Sequence, residues 1–212
     1  MKLAYLVLAI AGLSVGCSNP TRSRDLANPN VSSLTIAQQV CSGCHGMTGN
    51  AVSPNFPNLA GQAPAYLVAQ LNGYKSQSRQ DSAGFEYMWG LSRSLTDEQI
   101  TGLAAYYANQ QPVRQPIEGN ESRMAAGKMI FEGGLPAQNV AACTVCHGAT
   151  GVGNETFPRI SGQHAAYIIK QLNVFQLSNQ RPAGAVMKTV AHELTRDDIA
   201  NVAAYVQALP NR

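Results

Sequence analysis

Cys41-Ser42-Gly43-Cys44-His45-Gly46 and Cys143-Thr144-Val145-Cys146-His147-Gly148 are one pattern written twice, 102 residues apart. Two cysteines spaced by two residues, with a histidine directly after, suit c-type haem attachment. The thiols form thioether bonds to the porphyrin and the imidazole stands beside them to bind iron. A zinc site or a thiol redox pair is the alternative for either cysteine pair taken alone. The histidine, present both times, points instead to two covalently bound haem c groups, held through Cys41, Cys44, Cys143 and Cys146.

The self-similarity extends well beyond these segments. Phe56-Pro57-x-x-x-Gly61-Gln62-x-x-x-Tyr66 returns as Phe157-Pro158-x-x-x-Gly162-Gln163-x-x-x-Tyr167, 101 residues on. Leu95-Thr96-x-x-x-Ile100 returns as Leu194-Thr195-x-x-x-Ile199 at an offset of 99, followed by Ala104-Ala105-Tyr106 and Ala203-Ala204-Tyr205. Order is kept and the offsets drift by only three residues, as in a duplicated domain with small loop changes. Residues 109–120, NQQPVRQPIEGN, are polar with two prolines and read as a linker between domains at 31–108 and 121–212. Each copy reads as helical. Ile36–Val40 leads into the first cysteine motif. Tyr66, Leu67, Gln70, Leu71 and Tyr74 recur at helical spacing behind Pro64. Thr96-x-x-Gln99 is a capping box ahead of Ile100, Leu103, Ala104 and Tyr107. The second copy repeats the arrangement, and no strand alternation competes, so the expected fold is all-α.

A low-spin haem iron needs a second axial ligand opposite His45 and His147, and methionine raises the potential relative to other partners. Met88 is the only methionine between His45 and the linker apart from Met47, which is too close to His45 to reach the opposite haem face. Met187 is the only methionine after His147. Each precedes the leucine of the capped helix by seven residues, so both are the expected axial ligands. A methionine in a small helical protein is more often core filler; the equivalent placement argues against that here. His164 and His192 stand opposite Ala63 and Arg93 in the repeat and are expected at the surface, with His192 the competitor to Met187. Arg79 and Arg181 follow corresponding helices and are candidates to neutralise haem propionates, or else solvated arginines. Trp89 is a candidate to pack on haem or in the core.

Residues 1–16, MKLAYLVLAIAGLSVG, carry a lysine and then a short apolar run, too short to span a bilayer but suited to a secretory signal. The stretch ending in Cys17 resembles a bacterial lipoprotein box, in which that cysteine is lipidated; it is also the one cysteine of five outside the two motifs. Residues 17–30 read as a flexible tether. The expected location is the periplasm, with Cys17 a candidate membrane anchor. With 13% charged residues, 45% hydrophobic residues and a net charge of +3, the chain carries no basic stripe for nucleic acid and is not of disordered composition.

The two-domain layout, the F-P-x-x-x-G-Q-x-x-x-Y segment and a methionine ahead of an L-T-x-x-x-I helix together resemble the dihaem cytochrome c4 family, over about residues 31–210. The resemblance implies two tandem cytochrome c-like domains from an internal duplication, and haems that exchange electrons across facing lobes. It also implies that the Pro57 and Pro158 carbonyls hold the outer nitrogens of His45 and His147. The expected function is electron transfer, not enzymatic turnover. Electrons would pass from a respiratory complex or dehydrogenase to a terminal oxidase or reductase, with redox proteins as partners, no nucleic acid and no small-molecule substrate. The alternatives are a dedicated cytochrome subunit of a flavin- or quinone-type dehydrogenase and, with less support, a dihaem peroxidase. The lipoprotein-like start departs from the family's usual soluble form.

Overall fold

The computed structural model describes residues 19, 23–82, 84–117, 119–155 and 157–210. The expected signal segment, Cys17 and most of the start of the polar stretch behind it lie outside the described residues. In the first lobe, α1 (Ser33–Ile36) is capped by Ser32, whose hydroxyl accepts from the Thr35 N–H. The chain then runs through a π-turn over Ala37–Cys41 into α2 (Ser42–His45). A π-turn adds a residue to the helical repeat and re-aims the next turn of the chain; here it delivers the cysteine motif. Next come α3 (Pro64–Lys75), opened by its proline, α4 (Phe85–Ser92) and α5 (Asp97–Ala108). The capping box before α5 forms as the spacing implies: Thr96 accepts from the Gln99 N–H, and Gln99 accepts from the Thr96 N–H.

The second lobe repeats this with α6 (Glu121–Gly133), α7 (Thr144–His147), α8 (Ala165–Leu177), α9 (Ala185–Ala191) and α10 (Arg196–Ala208). Among the described residues there is no strand, only one β-bridge between Leu135 and Val140. In place of a continuous helix into the cysteine motif, α6 stops at Gly133 and a loop leads on to α7. Helix α6 crosses α10 closely because Gly127 has no side chain; a Cβ there would run into the Asn201 carbonyl.

Each lobe has its own core. Val31, Ile36, Leu67, Ile100, Leu103 and Tyr107 form one, and Ile130, Phe131, Val140, Ile199, Val202 and Val206 the other. Burying one such side chain contributes about 1.5–3 kcal/mol, so these small clusters are thin cores for lobes of this size. The polar stretch read as a tether is not free throughout: Leu26 packs on the first core, and Gln99 Nε2 donates to the Asn28 carbonyl at 3.1 Å. The linker is held at two points along its middle. Val113 N–H donates to Asn50 at 2.8 Å, and Gln207 donates to the Pro116 carbonyl at 2.8 Å.

The lobes dock through contacts that occur in reciprocal pairs. Gln62 donates to the Arg159 carbonyl at 2.9 Å and accepts from the Arg159 N–H at 2.8 Å. Its repeat counterpart Gln163 does the same to Asn58, at 3.0 and 2.8 Å. Farther along the seam, Arg79 donates to the Tyr167 hydroxyl at 3.3 Å while Arg181 donates to Tyr66 at 3.0 Å. The docking surface is one patch of the repeat meeting its own copy.

Candidate functional site

Cys41 ends the π-turn, and Cys44 and His45 lie in the single turn of α2; Cys143, Cys146 and His147 take the same places around α7. Residues three apart on a helical turn share one side, so each cysteine pair faces one way with its histidine beside it. The four cysteines form no disulfide. Burial pushes the Cys41 and Cys143 thiols up to about 11, so they are protonated at neutral pH. A redox dithiol works through a thiolate, the form that burial disfavours at Cys41 and Cys143. Among the described residues no group of three or more His, Cys, Asp and Glu side chains is arranged to hold a metal ion.

The histidines are built alike. His45 Nδ1 donates to the Pro57 carbonyl at 2.9 Å, and His147 Nδ1 donates to the Pro158 carbonyl at 2.8 Å. A carbonyl only accepts, so the proton sits on Nδ1 and Nε2 keeps its lone pair for iron. Phe56 and Phe157 meet their histidines edge-on at 6.2 and 6.3 Å, which holds both rings in one orientation. Burial lowers both histidine pKa values, against the opposing pull of the proline carbonyls, so both rings are neutral and fit to ligate. The thiols, the tautomer and the ring orientation all fit a covalently attached haem.

Met88 lies on α4 and Met187 on α9, both half-buried, in short helices behind Gly84 and Gly184. His192 is a surface residue: Nδ1 donates to the Thr189 carbonyl at 2.7 Å and Nε2 lies 3.5 Å from Glu193. His164, expected at the surface, is instead 6% exposed, with Nε2 bonded to the Ala51 carbonyl of the other lobe at 2.9 Å. The docked lobe covers it. Trp89 stacks with Phe85 at 6.4 Å and lies under Arg93 at 5.1 Å.

Arg79 and Arg181 are not solvated arginines; both are buried in the seam. Arg79 Nε donates to Asp81 at 2.6 Å, and Gln171 donates to the same carboxylate at 3.1 Å. Arg181 donates to Gln171 and, at 2.9 Å, to Gln70. Burial disfavours the Asp81 carboxylate, but the Arg79 hydrogen bond and charge, with Gln171 and Arg181 behind them, outweigh it and hold its pKa below the ordinary value. The repeat position of Asp81 is Ala183, so this carboxylate breaks the pairing of the seam. Sequence reasoning assigned no role to Asp81, Gln70 or Gln171. Gln62 and Gln163 stand out in the sequence only as repeat markers, through their recurrence at a fixed distance from the prolines.

The Cytochrome c family model matches residues 34–111 and 124–210, one stretch in each lobe. Cytochrome c4 of Pseudomonas aeruginosa is 38% identical over 174 residues, covering 80% of this chain and 84% of the relative. The crystal structure of reduced recombinant cytochrome c4 from Pseudomonas stutzeri superposes with a TM-score of 0.74 at 35% identity, covering 84% of this chain and 100% of that one. A protein named thiosulfate dehydrogenase electron acceptor, from Thiomonas intermedia, is 34% identical over 176 residues, covering 80% of this chain and 78% of the relative.

Proposed function

Since the chain belongs to the cytochrome c family, as a dihaem cytochrome c4, we propose that it takes electrons from a respiratory complex or dehydrogenase and delivers them to a terminal oxidase or reductase. It is an electron-transfer protein and not an enzyme, with two covalently bound haem c groups. The observation that carries this reading is the twofold occurrence of one motif with one geometry: each histidine is neutral, buried and fixed through Nδ1. When bound, each haem supplies a one-electron iron couple; the chain supplies attachment, orientation and tuning. In this reading Cys41, Cys44, Cys143 and Cys146 hold the haems, and His45 with Met88 and His147 with Met187 are the axial pairs. Pro57 and Pro158 keep the histidine tautomers. Arg79 and Arg181 are the proposed propionate contacts; Arg79 already holds Asp81, so the buried Arg181, whose hydrogen bonds go to Gln171, Tyr66 and Gln70, is the guanidinium left to take a propionate.

An anaerobic redox titration monitored in the visible bands tests the reading. Two positive potentials with methionine–iron spectra are expected, and a high-spin or low-potential haem would sink one methionine assignment.

A second reading, the dedicated electron acceptor of one dehydrogenase, is favoured by the likeness to the thiosulfate dehydrogenase electron acceptor. Isolation from native membranes separates the two: a stoichiometric dehydrogenase partner supports the subunit, a free monomer the carrier. The apolar start of the chain supports export to the periplasm and lipidation at Cys17; no helix among the described residues is long and apolar enough to cross a membrane. Metabolic labelling with palmitate is expected to mark the wild type and not Cys17→Ser, and an unlabelled wild type would end the anchor.

A further inference from the structure

Each buried histidine is joined by a single peptide group to a glutamine of the other lobe. The Pro57 carbonyl accepts from His45 Nδ1 at 2.9 Å, and the N–H of that same peptide group, on Asn58, donates to Gln163 Oε1 at 2.8 Å. Gln163 Nε2 returns a bond to the Asn58 carbonyl at 3.0 Å. In the opposite direction, the Pro158 carbonyl accepts from His147 Nδ1 at 2.8 Å, and the Arg159 N–H of that peptide donates to Gln62 Oε1 at 2.8 Å. Gln62 Nε2 closes onto the Arg159 carbonyl at 2.9 Å. Each glutamine oxygen also receives the N–H of the next residue, Ala63 or His164, at 3.0 Å. Oxygen therefore faces two N–H groups and nitrogen faces a carbonyl, which fixes the amide orientation. Gln62 and Gln163 are 6% and 7% exposed, so water competes little for these bonds.

We propose that Gln62 and Gln163 are positioning residues acting across the lobe boundary, each tuning the iron-binding histidine of the opposite lobe. An amide that donates at nitrogen becomes a better acceptor at oxygen, because hydrogen bonds in a chain polarise one another. A stronger carbonyl acceptor draws on the Nδ1 proton and makes Nε2 a more electron-rich ligand. That stabilises oxidised iron and lowers the potential. The F-P-x-x-x-G-Q segment thus carries both parts of the device, a carbonyl to be tuned and a glutamine that tunes the other copy. Neither lobe sets its own histidine alone. The inference rests on His45 and His147 being the iron ligands.

The test uses the holo-protein with Gln163→Met and Gln62→Met, apolar replacements of similar length. Haem methyl resonances in proton NMR, tracked through a redox titration, report each haem separately. Gln163→Met is expected to favour reduction of the haem on Cys41 and Cys44 by up to roughly tenfold, about 59 mV for one electron. The haem on Cys143 and Cys146 should stay near its wild-type value, and Gln62→Met should give the mirror result. Proton exchange at His45 Nδ1 in the reduced protein should speed up in Gln163→Met and not in Gln62→Met. A shift confined to the mutated lobe, equal shifts at both haems, or no shift would overturn the proposal. Small-angle scattering checks that the lobes remain docked. Should Gln163→Met separate them, Gln163→Glu keeps an oxygen for the Asn58 N–H, and is expected to lower the first potential relative to the second; a rise would overturn the proposal. Wild-type spectra without low-spin histidine ligation would instead sink the ligand assignment, while normal spectra with uncrossed shifts sink only the trans effect.

Discussion

Met187→Ala is expected to remove the methionine–iron absorption signature from one of the two haems and leave the other intact. In the proposed ligation Met187 binds the second-lobe iron, so its loss opens that site to water or exogenous ligands. The potential of that haem should fall by a few tenths of a volt, within the roughly 0.8 V over which axial ligands move haem potentials. Met88→Ala should give the same result at the first-lobe haem. Visible and EPR spectra of the oxidised and reduced variants decide the matter. Two unchanged low-spin haems in Met187→Ala would show that another group completes the second site. His192 is a poor substitute, since it is exposed and both ring nitrogens face outer-surface partners, Thr189 and Glu193. His192→Ala is therefore expected to leave both spectra unchanged.

The second large effect is at Asp81. Asp81→Ala should cost about 3–5 kcal/mol, the usual penalty for removing one partner of a buried charge pair. It leaves the Arg79 guanidinium, 7% exposed, without its carboxylate and close to a second buried arginine. Asp81 also accepts from Gln171 across the seam, so the loss falls on lobe docking more than on either core. In chemical denaturation the variant should show two separate transitions, one for each lobe, where the wild type unfolds in a more concerted way. The double variant Arg79→Met, Asp81→Ala should recover part of the loss, because no charge is then stranded. A wild-type profile for Asp81→Ala would refute the structural role given to the pair. The pH dependence has a definite sign. The folded-state pKa of Asp81 is depressed, so the unfolded chain binds the proton more tightly. The carboxylate's contribution is complete above the unfolded value of about 3.9 and is lost as pH falls through the lower folded one. Docking should therefore weaken only in strong acid, and Asp81→Asn should lack that acid transition.

Much of the architecture was legible in the residues. Pro64, Thr96 and the apolar spacing after them mark α3 and α5, and the shifted copies mark α8 and α10. The rest escaped for physical reasons. Helices α4 and α9, which carry Met88 and Met187, are eight and seven residues long. Helices of that length are marginal in water and form through packing, so no local pattern announces them. Helix α6 was missed because Gly127 weakens the helical signal, although it is the residue that lets α10 approach. Its start did have a mark: the Asn120 side chain accepts from the Arg123 N–H, an N-cap that sequence reading can find. The burial of His164, Arg79 and Arg181 could not be read from either copy separately. Each is covered by the opposite lobe, and a repeat reveals what its units share before it reveals how they meet.

The reciprocal seam also bears on how far such a duplication can go. A surface that pairs with its own copy has a valence of one: when two units meet, both are saturated and the assembly is closed. A third copy of this sequence, appended to the chain, would find no vacant site of this kind. Its Gln62-type and Arg79-type groups would be hydrogen-bonded by water in place of a partner lobe. The count of two is thus written into the symmetry of the contact.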